Sequence, residues 1–536
     1  MFESLIEALR RPPLDRLKAR GVIRQQSAAA FRAAMGDYDA FVPVVSNLRA
    51  PSFLVGSATN SAGERVPVHL SLRDLESHWM ITGSTGSGKS RFVTGLFLCL
   101  LECLLGVALI DCKEGLFEAA LRWLGAVARR LPADARAAFA QRVTVIDLFG
   151  SRLAPLNFCR RIPGVSLHTQ ASDMALAVER LFEIGFSMHM STIMRWLIVL
   201  LISAELTLAD ATLLLEDEVL RGILVERSGI RALQEFFLRT YPAMPESPKT
   251  ALLMRLHALF FSESLLALGA DEMVDFRRII ERGEVLVVSL GKRGPEDDVK
   301  VVGNLLLQAL FSAAYSAGRH PSFCVLVDEF FHLLDAPNLA ARFAGALVTL
   351  RSFGVSLCLT LHGFGQLQPA LRDILINSCD LNAIFRNSAR NAEQLADFAP
   401  SVDPEMVTRA LRNGTAPPSA SEVRRLQMER LQRLPRQEFW WYDHRQPYRA
   451  IHVRGSDVPD AHVAAGMSER GLDLFIDEVG LRTGSVSLAP DEIRQQIAAR
   501  RDRLRRLVNP SVEIMTREEE STVVGTKRRS RRPRIG

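Results

Sequence analysis

The stretch Gly83-Ser84-Thr85-Gly86-Ser87-Gly88-Lys89-Ser90 constrains this chain more than any other. It fits G-x-x-x-x-G-K-[ST] and has the flanks that pattern requires. His78-Trp79-Met80-Ile81-Thr82 before it reads as a short buried strand, and Arg91 to Cys103 after it reads as an apolar helix. A chance Gly/Ser-rich turn has no reason to carry both flanks. The residue types suit a polyphosphate. Gly83, Gly86 and Gly88 let the backbone curl so that N–H groups face anionic oxygens without a Cβ in the way. The following helix aims the positive end of its dipole at the same place. Lys89 supplies a point charge for the β- and γ-phosphates, and Ser90 a hydroxyl for Mg2+. Ser84, Thr85, Ser87 and Arg91 complete the candidate set, and ATP with Mg2+ is the expected ligand.

A second signature lies far downstream. Phe323-Cys324-Val325-Leu326-Val327-Asp328-Glu329 is an apolar strand ending in two acids. Asp328, at a strand's carboxyl end, suits the Mg2+ shell, and Glu329 suits polarisation of an attacking water. Alone the pattern also fits an ordinary strand-to-helix turn; downstream of a phosphate loop it gains meaning.

Strand and helix patterns alternate around these motifs. Gly106–Asp111 and Val143–Asp147 are continuous apolar runs ending in an acid, as fully buried parallel strands are. Glu284–Ser289, Val355–His362 and Asp380–Arg386 repeat the pattern, and Asn304–Ala317 reads as a long helix between two strands. The fold class is therefore α/β, with a doubly wound, mostly parallel sheet. The alternation stops between about 167 and 282, where apolar residues recur at helical spacing in Met174–Phe182, Ile193–Ala204 and Ala251–Phe261. That segment reads as a large all-α insert.

The expected organisation is a helical N-terminal extension (1–48), a first part of the nucleotide-binding domain (49–166), the insert (167–282) and a second part (283–456). C-terminal helices (457–509) and a basic disordered tail (510–536) follow. Glu438–Tyr442 and Arg449–Val453 read as a terminal hairpin. Pro490–Val508 reads as a helix with Pro first, acids in its first turn and Asn509-Pro510 after its end.

Charge adds a limit. The chain has 66 basic and 60 acidic residues, and Lys527–Arg534 alone carries six of the basic ones. The rest is neutral, so the folded part is no general polyanion binder. The tail and Arg500, Arg501, Arg503, Arg505 and Arg506 suit phosphate neutralisation, or equally a solvated helix and tail. Trp440 and Trp441 suit base stacking, or packing of the hairpin on the sheet. Seven cysteines without a C-x-x-C spacing read as buried thiols in a reducing compartment, with neither a disulfide frame nor a zinc site. No apolar run approaches the about 18–20 residues of a membrane span, so a cytoplasmic protein is expected, recruited to the inner membrane by partners.

With both motifs placed, the chain resembles the FtsK/HerA superfamily of P-loop motor ATPases, and within it the conjugative coupling proteins of type IV secretion, the TraG/TraD class. His78–Ser90 is similar to the family's strand and T-G-S-G-K-S loop. Ile110-Asp111-Cys112-Lys113 resembles its I-D-x-K segment, Ala154-Pro155-Leu156-Asn157 its N-P-L turn, and Leu350-Arg351-Ser352-Phe353-Gly354-Val355 its R-K-x-G segment. The resemblance covers roughly residues 50–455. It implies a RecA-like fold, a ring of usually six subunits with sites between them, and movement of DNA. Relaxase-like proteins and a membrane secretion channel are the implied partners, and the class carries N-terminal membrane helices that this sequence lacks. It also implies an arginine supplied by a neighbour, for which Arg351 matches best and Arg386 and Arg390 are rivals. Where the family's sensor strand ends in Gln, within T-Q-S-x-x-Q-L, this chain has Leu361-His362-Gly363-Phe364-Gly365-Gln366-Leu367, so His362 takes the sensor position. Asp111 and Lys113 read as structural at the switch region.

The expected function is thus an ATP-driven DNA-translocating motor of the coupling type. Two alternatives stay open: the same motor serving protein secretion or a phage-defence complex, and an ATP-gated assembly scaffold that hardly hydrolyses.

Overall fold

The computed structural model describes residues 52–508 except 60–63, 104, 114, 180–184, 261, 292–294, 319, 321, 334–342, 344, 399–419, 446–449 and 485. The expected N-terminal extension and basic tail lie outside the described residues. Two compact units form: one from the described residues of Met1–Ile146, Phe276–Lys300 and Ala313–Ser485, the other from those of Asp147–Asp275, Val301–Ser312 and Val486–Gly536.

The first unit is built on eleven strands. They are β1 (Ser52–Thr59), β2 (Arg65–Ser71), β3 (Trp79–Thr82), β4 (Gly106–Asp111), β5 (Val143–Asp147), β6 (Val285–Ser289), β7 (Phe323–Asp328), β8 (Val355–Leu361), β9 (Leu381–Phe385), β10 (Glu438–Asp443) and β11 (Ala450–Gly455). Their order across the sheet is β2-β1-β11-β10-β9-β3-β8-β7-β4-β6-β5. The central pairs β9–β3, β3–β8, β8–β7, β7–β4 and β4–β6 are parallel. The flank β9–β10–β11–β1–β2 is antiparallel throughout. Every residue of β3, β4, β6, β7, β8 and β9 is buried, as expected of strands covered by helices on both faces. The sheet is that of a doubly wound α/β protein, as the alternating apolar runs predict.

The expected hairpin is present, and Trp441 is packing rather than stacking surface: it is 2% exposed and meets Trp79 edge to face at 5.1 Å. Trp440 lies against His452, 5.3 Å between ring centres. All seven cysteines are free thiols.

The second unit is helical. Met188–Ser203 buries nine of its sixteen residues and is capped by the Ser187 hydroxyl accepting from the Met190 amide. Trp196 stacks on Phe236 at 5.5 Å, and the Arg221 guanidinium sits 4.8 Å over the Tyr241 ring. The helix Pro490–Val508 belongs to this unit. It corrects the reading of Arg500 and Arg501 as solvated or phosphate-facing, while Arg503, Arg505 and Arg506 are exposed. Arg500 is 4% exposed and donates to Asp210 Oδ2 (2.6 Å), Thr207 Oγ1 (2.7 Å), the Gly269 carbonyl (2.9 Å) and Asp271. Arg501 donates to the Ala209 carbonyl at 2.7 Å.

One helix differs from the sequence-based expectation in length and apolarity. Glu296–Ser316 begins earlier than the apolar run suggests, and its stretch Asp298–Ser316, with mean hydropathy 1.2, is long and apolar enough to cross a membrane. Its polar residues Asp298, Lys300, Asn304 and Gln308 break the run in the sequence, while 67% of the stretch is buried inside the protein. Two bent helix pairs, Met188–Ser203 with Leu208–Glu216 and Glu246–Leu259 with Glu263–Gly269, also pass as broken spans by length and composition.

Candidate nucleotide-binding site

The carboxyl ends of the parallel strands collect the candidate residues, the edge where open α/β sheets bind ligands. β3 delivers the chain into the loop Gly83–Gly88, and the helix Lys89–Glu102 starts directly after it. The glycines are there for space and handedness. A Cβ on Gly83 would sit 2.6 Å from Phe385 Cβ and 2.8 Å from Ser87 Oγ. Gly88 caps the helix at φ 111°, and a Cβ there would meet the Gln437 backbone at 2.9 Å.

Neighbouring strands hold the loop open. The Gly83 amide donates to the Leu361 carbonyl at 3.2 Å, Ser84 to Arg386 at 2.8 Å, and the Gln437 amide to the Ser87 carbonyl at 2.8 Å. Gln437 takes φ 67° to reach it. The first-turn amides of the helix have no carbonyl before them to bond. Ser87 Oγ is buried without a hydrogen-bond partner. A buried orphan hydroxyl beside the amino end of a helix fits an anionic, oxygen-rich ligand.

Lys89 is 6% exposed. Its ammonium donates to the Gly83 carbonyl and lies 3.1 Å from His362 Nδ1. Burial pulls its pKa down to about 8, against the opposing pull of Asp328 and Glu329. Such a lysine gains from any phosphate that replaces the carbonyl as its partner.

Asp328 closes β7 in register with Asp111 on β4. Burial pushes its carboxyl up to about 6, and the Thr360 hydroxyl, which donates to its Oδ1, limits the rise. The Thr360 oxygen in turn accepts from the Glu329 amide at 2.8 Å. Asp111 accepts from the amides of Lys113 and Phe117, both at 2.9 Å, so it caps the turn after β4. That is the structural part expected of it.

Glu329 stands at φ 50°, rare for a residue with a Cβ. Its Oε1 lies 2.9 Å from both Lys113 Nζ and His362 Nε2, and its Oε2 3.3 Å from His332 Nε2. Burial alone would raise its pKa; hydrogen bonds from His332, His362 and Lys113 instead hold it far below the usual carboxylate range. His362, just past β8, therefore links Lys89 to Glu329.

Five candidates lie outside this linked row. Ser90 is exposed at the start of the helix. Arg91 turns away from the loop to Asp457 Oδ1 (3.2 Å) and the Val458 carbonyl. It lines a cleft of about 220 Å3 with Gly88, Phe92, Gln437, Phe439 and Asp457. Arg351 sits in the turn Leu350–Phe353 before β8 and pairs with Asp380 Oδ2 at 2.7 Å. That turn is at the amino end of the seven-residue β8, roughly 20 Å along the strand from His362, so the chain does not bring Arg351 to its own phosphate loop. Arg386 meets the loop through its carbonyl, which also accepts from Ser84 Oγ at 3.0 Å. Arg390 is exposed on the next helix.

Sequence reasoning missed Thr360, His332, Gln437 and the contact made by Lys113. Only Lys113 left a trace, in the I-D-x-K segment; His332 sits three residues past Glu329, a spacing that places both on one turn.

The decisive comparison is with solved structures. The conjugative coupling protein TrwB, in a form named TrwBdeltaN70, superposes with a TM-score of 0.52 at 14% identity, covering 80% of this chain and 92% of that one. VirB4 of Thermoanaerobacter pseudethanolicus superposes with a TM-score of 0.50 at 16% identity, covering 77% and 98%. The fold is that of these P-loop ATPases. TrwB has also been solved with the GTP analogue GDPNP, with a TM-score of 0.52 at 14% identity over 79% of this chain and 93% of that one. No protein-family model matches the sequence, and no curated protein matches it.

Proposed function

We propose that this chain is an ATP-hydrolysing motor of the conjugative coupling type, acting as a ring that moves or delivers DNA or a nucleoprotein. The observation that carries the reading is the linked row at one sheet edge: Lys89 to His362 to Glu329, with Asp328 tied to Thr360 beside it. A fold alone is compatible with many functions; a phosphate cradle, an acid for a cation and a second acid for water, on adjacent strands, is the apparatus of phosphoryl transfer to water.

The residues divide the work. The loop amides, Ser87 and Lys89 receive the phosphates, and the cleft beside Arg91 and Phe92 has room and an apolar wall for a base. Ser90 and Asp328 would hold Mg2+, which when bound neutralises phosphate charge. Mg2+ is commonly held by one or two side chains plus substrate phosphates. TrwB has been solved with ADP and Mg2+, and that pairing supports the same ligands here. Glu329 orients water, and His362 reports the terminal phosphate to it. Arg351, remote from its own loop, would serve a neighbour's site in a ring. TrwB and VirB4 support DNA and secretion machinery as partners, with recruitment to the inner membrane through them.

Glu329→Gln tests the reading. It keeps the side chain's size and removes its basicity. Binding of a fluorescent ATP analogue should persist while turnover falls at least about a hundredfold, the scale of a lost acid–base group. Unchanged turnover would remove Glu329 from the chemistry and the motor reading with it.

A further inference from the structure

A hydroxyl has one proton to give and lone pairs to receive. Thr360 stands on β8 beside the end of β7 and is 1% exposed. Its oxygen accepts from the Glu329 amide at 2.8 Å. An ionised carboxylate only accepts, so the threonine proton goes to Asp328 Oδ1. Among the described residues nothing donates to Asp328 Oδ2. Thr360 thus occupies one oxygen of this carboxylate and leaves the other for a cation.

The amide that Thr360 receives belongs to a residue at φ 50°. β7 and β8 pair as far as Val327 opposite Leu359. Beyond that point a buried amide needs another acceptor, and the threonine oxygen supplies it. Two residues on, just past β8, His362 lies 2.9 Å from Glu329 Oε1. The end of β8 therefore grips Glu329 twice, at its amide and at its carboxylate, and Asp328 once. Valine has the same branching and suits a buried strand equally, so the hydroxyl of Thr360 is not there for the strand.

We propose that Thr360 is the positioning residue for both acids: its hydroxyl orients Asp328 so that Oδ2 stays available to Mg2+, and it fixes the backbone from which Glu329 reaches water. The inference rests on the reading of Asp328 as the cation's ligand and Glu329 as the hydrolytic base. Thr360 itself touches neither nucleotide nor cation. It makes and breaks no bond, and its proton stays on its oxygen. Removing that oxygen disturbs two groups at once. Asp328 loses the partner that orients it, and the buried Glu329 amide loses its acceptor.

The test uses the full chain and reads binding before turnover. Thr360→Val keeps the shape and removes the hydroxyl; Thr360→Ser keeps the hydroxyl; Thr360→Ala runs beside Val so that a folding defect in one does not decide the matter. A fluorescent ADP analogue is titrated first in EDTA, which certifies each protein, and then under rising Mg2+. Affinity in EDTA should stay within about twofold of wild type throughout. The Mg2+ concentration giving half its effect on affinity should rise roughly tenfold in Val and Ala, the scale of one charge-assisted hydrogen bond. With ATP and saturating Mg2+, their kcat should remain about tenfold below wild type, because the Glu329 backbone stays unsupported. The Ser variant should recover both. A Val or Ala variant that binds in EDTA yet keeps either its Mg2+ midpoint or its kcat within about twofold of wild type overturns the proposal, as does a Ser variant that recovers neither. If neither Val nor Ala binds in EDTA, Thr360 serves the fold alone and the proposal fails. A wild type on which Mg2+ has no effect counts against Asp328 as its ligand, the reading beneath the proposal.

Discussion

Asp328→Asn separates what the site does from what it costs the fold. Asp328 is 7% exposed, and burial lifts its carboxyl from 3.8 to about 6. A raised carboxyl binds its proton more tightly folded than unfolded. Its charge therefore costs nothing below pH 3.8 and progressively more as pH rises toward 6, after which the cost is constant. A shift of about two units at about 1.4 kcal/mol each comes to about 3 kcal/mol of lost stability at pH 8, without metal or nucleotide. Asparagine keeps an oxygen to accept from Thr360 and removes the charge. In EDTA, the Asn variant should unfold at a higher temperature than wild type at pH 8, and the gap should shrink toward zero at pH 4.5. Adding Mg2+ with ADP should stabilise wild type and leave the variant nearly unmoved, because binding to the native state alone raises stability. Thermal unfolding followed by circular dichroism reads all three. A variant less stable than wild type at pH 8, or a gap that ignores pH, would refute the claim that burial makes the ionised Asp328 carboxylate costly to the fold.

Arg351→Ala should leave affinity for a fluorescent ATP analogue unchanged and lower steady-state turnover about a hundredfold or more, as loss of a neighbour-supplied arginine does; unaltered turnover would return Arg351 to its ion pair with Asp380. In the helical unit, Arg500→Met strands the fully buried Asp210 and should cost about 3–5 kcal/mol in urea unfolding. Adding Asp210→Asn should recover most of that loss. A single variant within about 1 kcal/mol of wild type would show the network to be dispensable.

The sequence makes the phosphate loop and each parallel strand legible for one reason: fully buried strands are continuous apolar runs, and here most end in a polar or acidic residue at the functional edge. Long-range pairing is not written locally. Residues 52–59 and the hairpin after Glu438 each look like strands, but nothing in either pattern announces that Gly56 lies opposite Gly455, which joins the two into one antiparallel flank. Buried charge is equally hidden. Arg500 sits in a run of arginines that looks solvated, and only the fold reveals Asp210 and Asp271 as its partners. Within the site, the motifs identify Lys89, Asp328 and Glu329 because their chemistry is tied to short spacings. Lys113 reaches Glu329 from the end of β4 and Thr360 reaches Asp328 from β8, so their parts depend on sheet order. Arg91 shows the converse: adjacency in sequence to the loop put it in the candidate set, yet the helix turns its side chain toward Asp457.

The central claim is that nucleotide hydrolysis at this edge is coupled to DNA. The direct measurement is the steady-state ATPase rate with no nucleic acid, with double-stranded DNA and with single-stranded DNA, using Lys89→Ala as the blank. The account predicts slow hydrolysis alone, strong stimulation by one strand type, and loss of both in the blank. Hydrolysis that proceeds at one rate whatever DNA is present would contradict a DNA motor and favour a protein cargo.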